Sequence, residues 1–486
     1  MLDKDSALYG AFIAKDPRFD GRFFVGISST GIYCRPVCRA RQPKAENCTF
    51  YATAAQAEQE GYRPCLLCRP ELAPGTSITD ATAKLAHKAA RVLEEKCGTG
   101  VGLEEIAGLL GCTDRHLRRV FTKEYNVTPL QYLQTCRLLL AKNLLTDTNL
   151  NVIDVALASG FGSLRRFNDA FKKHYQLTPT SLRKQAVAEN QRTGEITLAL
   201  GYRPPYCWEE MLKFLAGRAI AGVEVVKDGE YLRTVHLKNA KGMYISGWLR
   251  VGHRPKKNVL SVTVSENLLP VLPQVLARIK HLFDLYCNPH AIYETLQVMN
   301  NIRPGLCVPG IRVPGCFDAF EMAVRAVLGQ QVSVKSASTL AARMVRQYGT
   351  PIQTEIEGLT HAFPLPEAII GLDGPIENHL GSLGVIGTRA RTIYELAQKI
   401  TEGEIDLTFC LQPEEEIKKL MDIQGIGSWT AQYIAMRAME WPDAFLETDA
   451  GVKKALQPFT SKELLIMAES WRPWRSYATI NLWNSL

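Results

Sequence analysis

No stretch of this 486-residue chain approaches the ~18 consecutive apolar residues that a membrane span needs. Its first residues, Met1-Leu-Asp-Lys-Asp-Ser6, carry acids and lack the basic flank and apolar run of a secretory leader. A cytoplasmic protein without a membrane partner is therefore expected. The 13 cysteines are an odd number spread over a long chain, which argues against a disulfide framework. With 36 Gly and 25 Pro there is too little of either for a collagen-like or low-complexity chain. A strong charge of one sign is also missing: 57 Lys and Arg stand against 49 Asp and Glu. What remains is a globular chain, 46% apolar, long enough for three or more domains. The small basic excess is uneven, with residues 80–190 carrying 16 Lys/Arg against 11 Asp/Glu. An anionic partner for that segment follows.

The cysteines cluster near the start. Three residues separate Cys34 from Cys38, two separate Cys65 from Cys68, and 26 lie between the pairs. Two thiolates at each short spacing can face one ion, and four close a tetrahedral zinc site that staples a segment poor in apolar residues. The flanks Tyr33-Cys34-Arg35-Pro36-Val37-Cys38 and Arg63-Pro64-Cys65-Leu66-Leu67-Cys68-Arg69-Pro70 form loops with cationic rims. A purely structural zinc explains this pattern as well as a reactive one.

The run Thr30-Gly-Ile-Tyr-Cys34-Arg-Pro-Val-Cys38-Arg-Ala-Arg41, followed by Gly61-Tyr-Arg-Pro-Cys65-Leu-Leu-Cys68, resembles the zinc domain of the Ada adaptive-response proteins. That resemblance implies that Cys34, matching the first cysteine of the four, takes a methyl group from an alkylated DNA phosphate. Zinc would keep the thiol deprotonated and supply the nucleophile without a general base. Zn²⁺ with four thiolates has formal charge −2, and methylating one sulfur makes it −1. Repulsion from DNA phosphates then falls, so the methyl group would act as a switch.

From Leu103 the apolar spacing becomes helical: Leu103, Ile106, Ala107 and Leu110, a turn at Gly111, then Leu117, Val120 and Phe121. The pattern recurs fifty residues later around Gly160, and Tyr125-Asn-Val-Thr-Pro129 is echoed by Tyr175-Gln-Leu-Thr-Pro179. Two helix-turn-helix units joined by a helix from Leu130 to about Leu145 are predicted. Arg115, Arg118 and Arg119 in one second helix, and Arg165 and Arg166 in the other, are placed to meet successive major grooves of DNA; Arg118 and Arg165 are the candidate base readers. A solvated bundle face is the alternative. Residues of about 80–186 are similar to the DNA-binding domain of AraC-type regulators, which implies promoter DNA and RNA polymerase as partners.

Strand-like alternation begins at Ile196 and returns at Tyr231–Leu237, Gly242–Trp248 and Val259–Val264, with helices expected at about 208–219 and 268–285. After Gly305 the chain is expected to be helical to the end, apart from connections at about 351–366 and 371–387. Gly425-Ile-Gly427 opens a helix, and two glycines there let backbone N–H groups approach a phosphate. A short GxG is not diagnostic by itself. Twenty-two residues after Gly427 an acid, Asp449, stands at a helix start. A helix N-cap is the ordinary use of such an acid.

The combination, together with Phe320-Glu-Met-Ala-Val-Arg-Ala-Val-Leu-Gly-Gln330 and Trp471-Arg-Pro-Trp-Arg-Ser-Tyr477, resembles the helix-hairpin-helix glycosylases, and within them the 3-methyladenine DNA glycosylase II (AlkA) family, over about 193–486. The resemblance implies Asp449 as the catalytic carboxylate for excising alkylated bases from double-stranded DNA. It implies Trp429, Tyr433 and Trp483 as the aromatic pocket for a flipped base, although core packing is their ordinary use. It further implies a monovalent cation on backbone carbonyls of the hairpin. Where imine-forming relatives carry a lysine after the hairpin, this chain has Trp429, so base removal without strand cleavage is expected. Gln331 stands where that family has an apolar DNA wedge. Cys410 is the last cysteine, so no four-cysteine cluster follows Asp449, and the Pro-Cys-His-Arg of full-length Ada proteins does not occur.

The expected fold is multidomain and mainly α: a four-cysteine zinc domain at 1–79, a tandem helix-turn-helix bundle at 80–190, an α+β sheet domain at 191–305 and an all-α helix-hairpin-helix glycosylase domain at 306–486. Two other organisations stay open: a transcription regulator whose glycosylase-like half is inactive and only binds DNA, and a glycosylase whose zinc is only structural.

Overall fold

A computed structural model describes residues 4–74, 84–185, 194–408 and 411–486. The expected joints at 79/80 and 190/191, and Cys410, lie outside the described residues.

The first domain is built on a small sheet with strand order Cys48–Tyr51, Phe24–Ile27, Ile32–Cys34, Arg63–Pro64. The first three strands are antiparallel, and the last runs parallel to Ile32–Cys34, pairing Tyr33 with Pro64. That pairing brings the two cysteine loops together. Tyr33 is fully buried beneath the sheet, and its hydroxyl donates to Glu58 Oε1 at 2.9 Å.

The two helix-turn-helix units repeat down to their caps. Thr113 and Ser163 accept from the N–H groups of His116 and Arg166, starting the helices Asp114–Tyr125 and Leu164–Tyr175. Both helices end on a left-handed residue, Asn126 and Gln176, each with φ 55°. Such side-chain caps satisfy orphan donors and are worth about 1 kcal/mol each. Pro129, fixed in φ at a first helical position, opens the connecting helix Pro129–Asp147, two residues longer than predicted at its C-terminal end. A further helix, Lys84–Glu95, precedes the first unit.

The first unit has its own core around Leu93, Ile106, Leu117 and Phe121. The second does not. Leu144, Val155, Phe167 and Phe171 belong to one continuous apolar cluster with Ile196, Leu260 and the rest of the C-terminal half.

Five antiparallel strands follow in the order Glu195–Gly201, Val259–Ser265, Tyr244–Arg254, Glu230–Lys238, Glu224–Lys227. Alternating burial along Glu195–Gly201 marks a sheet with one face on the core. The short strand Glu224–Lys227 had no clear alternation in the sequence; it is fixed by pairing, with Val225 opposite Leu232. The helices are shorter than expected, Trp208–Ala216 and Leu272–Leu282. The second is preceded by a 3₁₀ turn at Glu266–Val271 in which Pro270 lacks the N–H an α-helix needs.

Helix begins only at Ala319, later than the expected Gly305, and beyond it the chain is mainly helical; Pro366–Ile370 falls between the two segments read as connections, whereas Ile376–Gly381 is a short helix inside the second. A two-residue ribbon pairs Thr350 with Ala362. Among the described residues no helix is long and apolar enough to cross a membrane.

Candidate active sites

A cavity of about 1110 Å³ opens in the helical domain, with Arg218, just beyond the helix Trp208–Ala216 of the sheet domain, on its wall. Asp449 lies on its wall as N-cap of Ala450–Ala455. Its Oδ1 accepts from Val452 N at 3.0 Å and from Trp483 Nε1 at 2.9 Å, and its Oδ2 accepts from Trp429 Nε1 at 3.0 Å. Cap and cavity residue are thus the same carboxylate. Three of roughly four acceptor positions are engaged and the orientation is fixed.

Trp429 stacks on Tyr433 with centroids 5.1 Å apart and planes at 16°, the i,i+4 neighbours of Ser428–Arg437. Tyr433 is 6.3 Å from Trp483, which stacks at 6.2 Å on Phe214. Burial alone would raise the Tyr433 phenol, but Arg437 and Arg218 beside it bring it below its ordinary value. Arg437 Nη1 donates to the phenol oxygen at 2.8 Å, and Arg218 lies 3.7 Å over the Phe214 ring.

The hairpin linking Pro413–Met421 to Ser428–Arg437 borders the same cavity. Gly425 has φ 97°, and a Cβ there would stand 2.4 Å from Thr392 Oγ1, so the turn demands glycine twice over. Thr392 Oγ1 donates to Gln424 O at 2.7 Å, and Gln330 Nε2 donates to Gly425 O at 2.8 Å. Gln331 projects from the exposed loop beside the cavity with φ 51°.

Phe214, Arg218, Gln330 and Gly451 were not picked out from the sequence. Phe214 reads as one more apolar position of an amphipathic helix. Gly451 had a signal: it follows an N-cap acid by two residues, and a Cβ there would meet Trp483 Cδ1 at 2.9 Å.

In the first domain the ligand atoms of Cys34, Cys38, Cys65 and Cys68 all lie within 4.8 Å of one another. Four sulfurs so placed suit a tetrahedral zinc. Cys34, Cys38 and Cys65 are buried, whereas Cys68 is partly open. Cys68 Sγ accepts from Arg35 N at 3.3 Å, and backbone donors also reach Cys38 (Ala40) and Cys65 (Cys68). The Arg35 guanidinium is held by Asp20, with Nε at 2.9 Å from Oδ1.

On the helix-turn-helix units Arg115, Arg118, Arg119, Arg165 and Arg166 are all exposed. Arg118 is partly tied back, its Nε donating to Asp114 Oδ1 at 2.7 Å. The three groups of site residues do not line a common cavity: the cysteine loops border one groove and Asp449 another cavity, and among the described residues the helix-turn-helix arginines line neither.

A helix-hairpin-helix followed by a capped carboxylate in an aromatic cavity defines a base-excision glycosylase, here joined to a four-cysteine metal domain and a tandem helix-turn-helix. Comparison with known proteins agrees. Residues 7–71 match the metal binding domain of Ada, 106–185 a helix-turn-helix domain, 197–318 the AlkA N-terminal domain and 324–475 the HhH-GPD superfamily of base excision DNA repair proteins. The "Probable bifunctional transcriptional activator/DNA repair enzyme AlkA" of Mycobacterium tuberculosis is 36% identical over 100% of this chain and 97% of its own length. DNA-3-methyladenine glycosylase 2 of Escherichia coli is 37% identical, covering 58% of this chain and 95% of that protein. The bifunctional transcriptional activator/DNA repair enzyme Ada of Escherichia coli is 38% identical over 27% of this chain and 36% of that one. The chain belongs to the family of AlkA-type bifunctional transcriptional activator/DNA repair enzymes.

Proposed function

We propose that the C-terminal half hydrolyses the N-glycosidic bond of alkylated bases flipped out of duplex DNA, with Asp449 as the catalytic carboxylate. The observation that carries this reading is the clamp of two indole N–H groups on Asp449 beside the Trp429–Tyr433 stack. As the bond breaks, its electron pair leaves with the base, and a methylated purine that entered as a cation departs neutral. Positive charge builds at C1′, and a fixed carboxylate in a partly dry cavity stabilises it before water adds there. Stacking on the aromatic wall offsets the cost of flipping by ~1–3 kcal/mol per ring. Gln331 is assigned to the gap left by the flipped base, and Gly425 and Gly427 to a backbone phosphate. A monovalent cation on backbone carbonyls of the same hairpin belongs to this reading.

The N-terminal domain is read as a methyl acceptor. Bound zinc would keep the four thiols deprotonated at neutral pH. Cys34 Sγ then attacks the methyl carbon of a phosphotriester, an S–C bond forms, and the broken C–O pair stays on the phosphodiester. The backbone N–H groups donated to Cys38, Cys65 and Cys68 damp those sulfurs and favour Cys34. Arg118 and Arg165 are assigned to promoter bases. RNA polymerase is the partner of the promoter-bound chain, with exposed Ile153 and Leu157 on Val152–Ala158 as an available surface. The cytoplasm is its compartment.

Release of free base from methylated duplex DNA tests the first half. The native chain is expected to release methylated base and leave abasic sites unbroken, and Asp449→Asn to lower the rate at least about a hundredfold. No release by a folded, DNA-binding native chain would leave the regulator reading in its place. Mass spectrometry after exposure to methylphosphotriester DNA tests the second half: a methyl group on Cys34 is expected, and none would reduce the zinc to a staple.

A further inference from the structure

Between the zinc-site loops and the sheet domain lies a groove of about 780 Å³. One wall carries Arg39, Leu67 and Cys68; the other carries Arg254, Lys256 and Lys257. The last three sit on the exposed tip of the hairpin joining Tyr244–Arg254 to Val259–Ser265, where Asn258 turns the chain at φ 51°. Arg39 and Leu67 are exposed as well.

The unpaired charges of the two walls are of one sign. Among the described residues no carboxylate pairs with Arg39, Arg254, Lys256 or Lys257, whereas the acids lining the groove are already engaged. Asp20 holds Arg35, Asp147 holds Arg69 at 2.8 Å and Glu195 holds Arg250 at 3.3 Å. Four free cations therefore face a cleft that is also lined by Cys68.

The walls are also fixed relative to each other. Buried Arg203 donates from Nε to Asp20 O at 3.0 Å and from Nη1 to Tyr286 O at 3.0 Å, tying the zinc domain to the C-terminal half. Gly201 lies so close to Leu72 O that a Cβ would stand 1.8 Å from it. A cleft held open in this way is a built feature, not a chance gap between tethered domains.

We propose that this groove is the track of a duplex-DNA backbone, so that a hairpin of the glycosylase half supplies the phosphate contacts that seat DNA over the four-cysteine site. The inference rests on the methyl-acceptor reading of that site for its purpose, but not for its occupant. Polyanion binding follows from the cations alone.

The test uses the full-length chain with Lys256→Glu/Lys257→Glu, and Lys227→Glu/Lys241→Glu as an equal charge change at exposed positions elsewhere on the same domain. Binding to an undamaged duplex is measured against salt, and Cys34 methylation is followed by mass spectrometry with a methylphosphotriester duplex below saturation. Loss of two phosphate contacts is expected to make the slope of log affinity against log salt shallower by about 2, and to slow methylation about tenfold or more. The control pair is expected to leave both nearly unchanged. An unaltered slope in the first variant, or an equal fall in both, would overturn the proposal. If the native chain gains no methyl on Cys34, the methyl-acceptor reading fails while the slope still decides whether DNA lies in the groove.

Discussion

Asp449 divides its two oxygens between a helix start and two indoles, so the same residue satisfies Val452 N and faces the cavity. This arrangement depends on having nothing at Gly451. A methyl there would press on Trp483 Cδ1 at 2.9 Å and on Asp449 Oδ1 at 3.0 Å, at the place where indole and carboxylate meet. The φ of Gly451 is not positive, so alanine fits the backbone and adds up to ~1 kcal/mol of helix propensity. Gly451→Ala is therefore expected to change the melting temperature little, the helix gain offsetting the displaced indole, while slowing base release about tenfold or more, since small misplacements of the carboxylate proposed as catalytic are costly. Equal losses of stability and activity would show instead that the residue only packs. Arg437 has a comparable double role, because it donates to Pro314 O and Gly315 O as well as to Tyr433 and cannot swing toward a ligand.

At the scale of elements, the helix Ala54–Gln59 meets the connecting helix Pro129–Asp147 through one buried acid. Glu58 accepts from Tyr33 at 2.9 Å and from Thr135 at 2.8 Å, and burial pushes its carboxyl up to about 7. A carboxyl raised from 4.5 to about 7 is protonated in the fold at mildly acid pH and half protonated near neutrality. The stability it contributes is complete below pH 4.5 and is lost as pH rises through 7, by about 3 kcal/mol at ~1.4 kcal/mol per unit. Glu58→Gln removes this dependence. Melting temperatures of variant and native chain should differ little near pH 5 and favour the variant at pH 8; a constant difference across that range would refute the assignment. Elements differ in how far they could be read in advance. The helix-turn-helix copies were legible because their apolar spacing, the turns at Gly111 and Gly160 and the repeated Tyr125…Thr128-Pro129 and Tyr175…Thr178-Pro179 are local signals, and the cysteine site because its spacing is short. The four strands around Cys34 were not, since two of them span three residues or fewer and are set by pairing across thirty positions. The cavity was half legible: Trp429, Tyr433, Trp483 and Asp449 were picked out through the family resemblance, whereas Arg218 on the wall and Phe214 stacked behind Trp483 arrive from another domain and carry no motif.

The whole molecule is tied together more closely than four separate motifs imply. The second helix-turn-helix unit shares its core with the sheet domain, and the helix Lys84–Glu95 lies against Leu272–Leu282. At that joint Glu94 accepts from Lys280 at 3.1 Å, from Tyr286 at 2.8 Å and from Tyr132 at 3.0 Å. Arg91 stacks 4.2 Å over Tyr286 and pairs with Glu440. Burial would raise the Glu94 carboxyl, but Lys280 and the two phenols hold it below its ordinary value, so it is charged at neutral pH. Glu94→Gln leaves Lys280 without a counter-charge in a largely enclosed joint, which costs about 2–3 kcal/mol where the pair is partly open to water. That energy is local to the seam between the DNA-reading and base-excising halves. Amide exchange over Lys84–Glu95 and Leu272–Leu282 is therefore expected to rise by about one to two orders of magnitude in the variant, while exchange in the five-stranded sheet stays as it was. If the two helices keep their protection, the seam is held by apolar packing alone, and the charge pair serves only to set the register of the halves.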